Sequence, residues 1–506
     1  MSLARACAGL IFLILLTLQL PVQASPPFEL VGSAVGSGGW NARVSGNDAS
    51  AAYFNPARLS RAEPGVQLGW FVLNDAIQIT LFARSRAQDI PVLALNQFQG
   101  KFPSLPTSWL QDGCDPMQGG RCASKLAPRP RQAAGGSGNT RVYQVFGLVS
   151  EVSKRWLTLG VYGMMPFDAF MEGHAFFPDE REQFFSNSLH PELYSDRLGA
   201  MALAFGASSQ LLDWLSVGVG VTLSLTNSAD AGTYVGNSDM IAESLQLDTK
   251  IKVNTGVAPI LSANLTPIDG LDIGLTAHTP QKLEVATRFS TFLPNGNLQS
   301  ADRTATLAWE PWKFGLGAQY DFLRGAAHRF GAVVTATYAL WSRYINRQSE
   351  RPQQGYSWNN TLAVAVGLRH VYDRRLTSAV DAIFEPSPVP LQTGRTNYVD
   401  NDRYGLSGSL NYQFPVAEKI SLRLGAQAQI HLLAQRSQSK RDPSQPPYAG
   451  MSYSQLVLDE WQDGAKNSRD EVLQESFGLQ TNNPGWPGFS SKGLIVGAGL
   501  NVALLY

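Results

Sequence analysis

Side chains able to attack a substrate, shuttle a proton or hold a metal ion are sparse in this sequence. Its six histidines, His174, His190, His278, His328, His370 and His431, stand singly along the chain. A histidine acting as base needs its nucleophile within hydrogen-bond reach, and no histidine–serine pairing follows from the strand positions read below. No Gly-x-Ser-x-Gly elbow occurs either. The expectation is a protein that is not an enzyme and takes no cofactor. Cys114 and Cys122 lie in a Gly/Pro-rich stretch with no histidine beside them. A zinc site usually needs four ligands, whereas two cysteines in an oxidising compartment can staple a loop as a disulfide. Lys plus Arg number 40 and Asp plus Glu number 40, a neutral balance that argues against a general nucleic-acid partner.

With so little chemistry on offer, the elements themselves carry the information. In the last eleven residues Val496, Ala498, Leu500, Val502, Leu504 and Tyr506 alternate with Gly497, Gly499, Asn501 and Ala503. Successive side chains of a strand point to opposite faces, so this run has one greasy face and one slim, wettable face. The pattern recurs in Leu215–Leu225, Tyr404–Phe414 and Ile420–His431. About fourteen such strands are expected, near 66–83, 141–152, 156–166, 196–210, 214–225, 251–266, 271–287, 303–321, 329–345, 361–372, 376–386, 403–414, 419–434 and 491–506. Pro311 makes the eighth ambiguous, because proline cannot donate to a ladder.

Connections alternate between short turns, such as 153–155, 211–213 and 373–375, and long ones, such as 84–140, 167–195, 226–250 and 435–490. Short turns at one rim and long loops at the other mark a transmembrane antiparallel β-barrel of the bacterial outer membrane. At the other end, Arg5, the apolar run 10–20 and the small-residue site Val22-Gln23-Ala24 read as a signal peptide over 1–24. Between it and the barrel, residues 25–62 are rich in Gly, Ala and Ser without strand alternation. A barrel of that width needs filling unless it is an open pore, and such a segment is suited to fold back into the lumen. The barrel is then 63–506.

Asn47-Asp48-Ala49-Ser50 followed by Tyr53-Phe54-Asn55-Pro56-Ala57 resembles the N-terminal hatch signature of the long-chain fatty acid transporter (FadL) family, which also takes in aromatic-hydrocarbon channels. Glu385-Pro386-Ser387-Pro388-Val389-Pro390 and Asp400-Asn401-Asp402-Arg403 are similar to the same family's downstream turn and strand entry, and Pro166-Phe167 and Trp341-Ser342 add weaker matches. Asn47, where the family has a second acid, and the loop carrying Cys114 and Cys122 depart from the pattern.

The resemblance implies a fourteen-stranded barrel plugged by a hatch, inserted by the barrel-assembly machinery, surrounded by outer-membrane lipid, and taking up hydrophobic molecules, above all long-chain fatty acids. Aromatic hydrocarbons or other small lipids are the alternative cargo, and a non-transporting receptor barrel the alternative class. It further implies that Asp48, Asn55, Pro56 and Ala57 gate the path. Asn-Pro also marks turns in general, so a plain hatch-to-strand turn is the other reading. A lateral exit beside a kinked third strand is implied too, where Gly160, Gly163 and Pro166 weaken the ladder or simply end the strand. Lumen-facing Arg369, Arg423 and His431 are candidate partners for a carboxylate head group, or else pair with acids such as Asp381 and Glu385. Apolar loop residues 167–171 and 176–177 are candidates for a capture groove.

Overall fold

Residues 27–82, 133–134, 139–167, 201–223, 228–235, 245–254, 257–292, 298–325, 327–346, 351–352, 357–392, 398–440 and 488–506 are described by the structure, a computed structural model. The signal peptide, Cys114, Cys122 and loop residues 168–171 and 176–177 lie outside them. Period-two alternation over long runs makes strands, and fourteen of them close into one antiparallel barrel. In chain order these are β1 (Gly65–Leu81), β2 (Asn139–Ser153), β3 (Leu157–Pro166), β4 (Ala202–Leu212), β5 (Leu215–Leu223), β6 (Val257–Ile268) and β7 (Leu271–His278). The second half comprises β8 (Lys313–Arg324), β9 (His328–Ala339), β10 (Thr361–Tyr372), β11 (Leu376–Glu385), β12 (Arg403–Ala417), β13 (Ile420–Ser439) and β14 (Gly488–Leu505).

Each strand pairs with its sequence neighbours, and β14 pairs back onto β1 from Gly65–Leu505 to Leu81–Phe489. Tyr506 donates its backbone N–H to the Pro64 carbonyl at 3.1 Å, which extends the closing seam by one more backbone bond. Closure leaves no edge strand, which is what lets a sheet cross lipid with every ladder bond satisfied. The outer face is apolar: Leu68, Trp70 and Val72 on β1, Leu406 and Leu410 on β12, and Val496, Leu500 and Leu504 on β14 all stand exposed. No helix among the described residues is long and apolar enough to cross a membrane, and the strands do the crossing.

Short turns gather at one rim. Between β10 and β11, Asp373 and Arg374 adopt φ of 49° and 57°, and Arg375 donates its N–H to the Tyr372 carbonyl at 3.0 Å. Two successive positive φ values make the primed turn whose twist matches a hairpin. At the opposite rim the connections are longer, and two of them are not plain loops. Residues Ser228–Val235, Leu245–Asn254, Gln281–Phe292 and Leu298–Glu310 form a separate four-stranded sheet. This corrects three expected strands: the run expected over 251–266 divides, with residues up to Asn254 in the separate sheet and the barrel strand beginning at Val257. The run expected over 271–287 breaks after His278, and 303–321 divides between Glu310 and Lys313, with Pro311 in the gap. A proline lacks the N–H that a continuous ladder needs there.

The N-terminal segment sits inside the barrel. It consists of α1 (Phe28–Val31), a 3-10 turn at Gly39–Asn41, α2 (Ala42–Ser45), α3 (Ala51–Phe54) and a 3-10 turn at Pro56–Arg61. Helices of one turn have no stability of their own, so burial holds them. Its hydrogen bonds run to β1, β3, β6, β10, β11 and β13, on all sides of the lumen. Phe28, Leu30 and Val31 join Phe71, Leu73, Ile77 and Ile79 of β1, Tyr143, Val145 and Val149 of β2, and Tyr162 and Met164 of β3 in one apolar cluster.

Candidate functional site at the hatch and lumen wall

Asn55 begins the turn that carries the family-like signature. Its side-chain amide donates to the Arg43 carbonyl at 2.7 Å, tying α2 to α3. Pro56 opens the 3-10 turn, a position where its missing N–H is not needed, and Arg58 donates its backbone N–H to the Asn55 carbonyl at 2.9 Å. The next N–H, on Ala57, reaches the wall and meets Ser262 Oγ at 2.8 Å. Ser262 Oγ in turn donates to the Gly218 carbonyl at 3.2 Å, binding the turn to β5 and β6 together. Asp48 is fully buried; its Oδ1 accepts the Ser50 backbone N–H at 2.8 Å and lies 3.3 Å from Ser33 Oγ. The neighbouring Ala49 N–H is bound to Gln67 Oε1 of β1 at 3.1 Å.

Close approach of hatch and wall depends on missing side chains. A Cβ on Gly147 would stand 2.4 Å from Ala49 Cβ, one on Gly160 2.5 Å from Leu59, and one on Gly274 2.5 Å from the Arg43 carbonyl. This side of the lumen, β2 to β8, therefore grips the hatch through backbone contact.

A charged network adds to the grip. Glu29 accepts from Arg43 Nη2 at 2.6 Å and from the Tyr53 hydroxyl at 2.9 Å, with Lys313 Nζ of β8 at 3.8 Å. Burial pushes the Glu29 carboxyl up, but Arg43 and Lys313 outweigh it and hold the group well below the usual carboxylate range. Arg43 also lies over the Phe54 ring, 5.5 Å from its centroid, and Arg58 binds Asn264 Oδ1 at 3.0 Å.

Of the head-group candidates, Arg369 reaches Asp381 at 2.7 Å and the Gly38 carbonyl at 2.8 Å. Asp381 is bound on its other side by the Trp40 backbone N–H at 3.2 Å and by Asn41 Nδ2 at 2.8 Å. Arg423 reaches Glu63 at 2.8 Å, and Glu385 pairs with Arg403. His431 is fully buried, its ring 4.9 Å from that of Trp40, with neither ring nitrogen partnered.

On β3, Gly160 faces the hatch, while Gly163 faces outward under the Phe146 ring, which an added Cβ would meet at 2.2 Å. Pro166 is the last residue of the strand. The β3–β4 ladder stops at Met164–Ala202, whereas the β2–β3 ladder continues to Tyr143–Pro166. Phe167 donates its N–H to Val142 on β2, so the nitrogen of Pro166 points toward the β4 side and offers no proton there.

One expectation needs correcting. The histidines are not all single, for His328 Nδ1 and His370 Nε2 lie 3.0 Å apart across β9 and β10. Ser378 Oγ stands 3.5 Å from His370 Nδ1, a pairing the sequence reading missed because cross-strand register is not visible in one strand. The group faces outward with Phe330 and Tyr372, and among the described residues no group of three or more metal-ligating side chains gathers. Sequence reasoning also missed Glu29, Arg43 and Arg58, and gave Tyr53 only as part of the signature run. The only available signal was charge inside a Gly/Ala/Ser-rich stretch.

No protein-family model matches the chain, and no curated protein does. Among solved structures, the crystal structure of a Pseudomonas aeruginosa FadL homologue aligns over 96% of this chain and 99% of that chain, at TM-score 0.52 and 15% identity. The chain has the FadL fold. The P. putida toluene transporter TodX (11% identity, TM-score 0.44, 94% of this chain and 99% of that one) aligns less closely. So does the CymD monoaromatic hydrocarbon channel, at 11% identity and TM-score 0.41 over 96% and 97% of the two chains. In this FadL fold the lipid-facing girdle and the closed seam are those of an outer-membrane barrel.

Proposed function

We propose that the chain is an outer-membrane channel that takes up hydrophobic small molecules passively, with the N-terminal segment as its gate. One observation carries the reading. A barrel lumen is ordinarily polar, yet here Phe71, Leu73, Ile77 and Ile79 line β1 inward, backed by Val145 and Met164, and meet Phe28 and Leu30 of the hatch. A hydrocarbon moving along such a wall gains roughly 0.8 kcal/mol per buried CH₂, which a water-filled pore does not offer. Long-chain fatty acids are the cargo favoured by the hatch signature. The short β3–β4 ladder at Pro166 supports a sideways exit near β3.

The test is a deletion strain fed labelled oleate and, separately, labelled toluene, with and without the gene restored. Faster uptake of oleate on restoration supports the fatty-acid reading, and faster uptake of toluene alone moves the cargo to aromatic hydrocarbons. Equal uptake of both in the two strains overturns transport.

A further inference from the structure

The hatch meets the far wall of the lumen differently. On β13 every second residue from Arg423 to His431 faces inward, and four of those five are polar, Gly425 being the exception. The inward neighbours Ser409 and Asn411 on β12 and Asn501 on β14 are polar as well. Several have polar atoms without a partner in the protein: both nitrogens of His431, Gln427 Nε2, Ser409 Oγ, Asn411 Oδ1 and Nδ2, Asn501 Oδ1, and Arg423 Nε and Nη2. His431, Asn411, Asn501 and Arg423 are at least nine-tenths buried. Gly425 keeps the column open, because its Cβ would stand 2.1 Å from Asn411 Oδ1 and 2.6 Å from Asn501. A cavity of about 10 Å³, room for a single water, opens beside Ser409 and Gln427 against Val31 and Gly39 of the hatch.

A buried polar atom left unbonded is costly, so a column of them needs a small occupant that both donates and accepts. Hydrocarbon cannot meet that need, and water can. A cation finds little here: Asp381 is already bound by Arg369, Trp40 and Asn41, and at the short-turn end the Glu63 carboxylate is taken by Arg423. From Arg423 to His431 the column runs roughly 27 Å along the strand, which at a barrel tilt of about 40° covers about 20 Å of depth, some two-thirds of the hydrocarbon thickness of a bilayer.

We propose that the β12–β14 side of the lumen is a water path, separate from the apolar path along β1–β3, so that the plugged barrel passes water while excluding ions. The inference rests on the barrel spanning a bilayer and not on which hydrophobe is carried. The test is stopped-flow osmotic shrinkage of proteoliposomes holding the full chain, with potassium current measured on the same protein in planar bilayers. Wild type is expected to raise water permeability above protein-free vesicles without steady current. The double variant Ser409→Leu/Gln427→Leu should lose that increment, while Leu410→Ala, an outward-facing change on the same strand and away from the cavity, should keep it. Ser409→Thr/Gln427→Asn, which keeps the polar groups, should retain most of it and separates the loss from misfolding. Permeability equal to protein-free vesicles, or an increment unchanged in the Leu variant, overturns the proposal. A potassium current lost in that variant overturns ion exclusion.

Discussion

The backbone nitrogen of Ala57 lies against Gly218: a Cβ built on that glycine would stand 2.2 Å from it. The hatch turn and strand β5 are therefore in backbone contact, locked by the Ala57–Ser262 hydrogen bond. Gly218→Val should force the turn off the wall, an overpacking cost of about 1–3 kcal/mol. The expected outcome is a lower urea midpoint together with a steady ionic current that wild type lacks. Gly408→Ala is the matched control and should change neither.

Asp381→Ala should destabilise more. It leaves the Arg369 guanidinium, 7% exposed, without its carboxylate, and it frees the Trp40 N–H and the Asn41 amide. Removing one partner of a buried pair costs about 3–5 kcal/mol. Replacing both partners, as Arg369→Met/Asp381→Leu, should recover part of the loss, read as urea midpoints of the three proteins. Equal midpoints for Asp381→Ala and wild type would refute the role of this pair in seating the hatch.

Glu29 sets an acid limit on hatch seating. Its folded pKa lies below the ordinary value of 4.5 because Arg43 and Lys313 favour the carboxylate. A depressed folded pKa means stability present above the unfolded value and lost as pH falls below it. Protease cleavage within residues 27–62 should therefore accelerate as pH drops through about 4.5. Glu29→Gln should already show the loosened hatch at pH 7, with a flatter acid response.

Asp400 works in the opposite direction at the long-loop rim. Burial pushes its carboxyl up to about 7 against the opposing pull of Ser387 and Arg436. A carboxyl with a raised folded pKa costs nothing below its ordinary value of 3.8; its penalty grows as pH rises from there to about 7 and then levels off. Asp400→Asn should raise the thermal midpoint at pH 8 and leave it unchanged near pH 4. An equal effect at both pH values would refute the assignment.

How much was legible beforehand differs between wall and contents. The strands β10, β11 and β12 fall within a few residues of their expected positions, since period-two alternation is a local property of each run. Pro311 likewise announced a break that the structure places between Glu310 and Lys313. The four-stranded sheet beyond the barrel was not visible, because parts of it read as continuations of barrel strands over 251–266, 271–287 and 303–321 and the rest as loop, and alternation alone does not say which sheet a strand joins.

The residues that meet across the lumen lay further from reach. Alternation places Arg369 and Asp381 on the inner face, but that Asp381 also holds the Trp40 and Asn41 amides joins positions 340 and 341 residues apart. The same holds for Gly218 against Ala57, and for Ser378 beside His370. By itself the sequence determined which face meets lipid on the cleanly alternating strands such as β12, β13 and β14, because one residue's side follows from its neighbour's. Which inward residues touch the hatch, and which are left to bond water, was decided only when strand register and closure brought distant chain segments to the same height in one lumen.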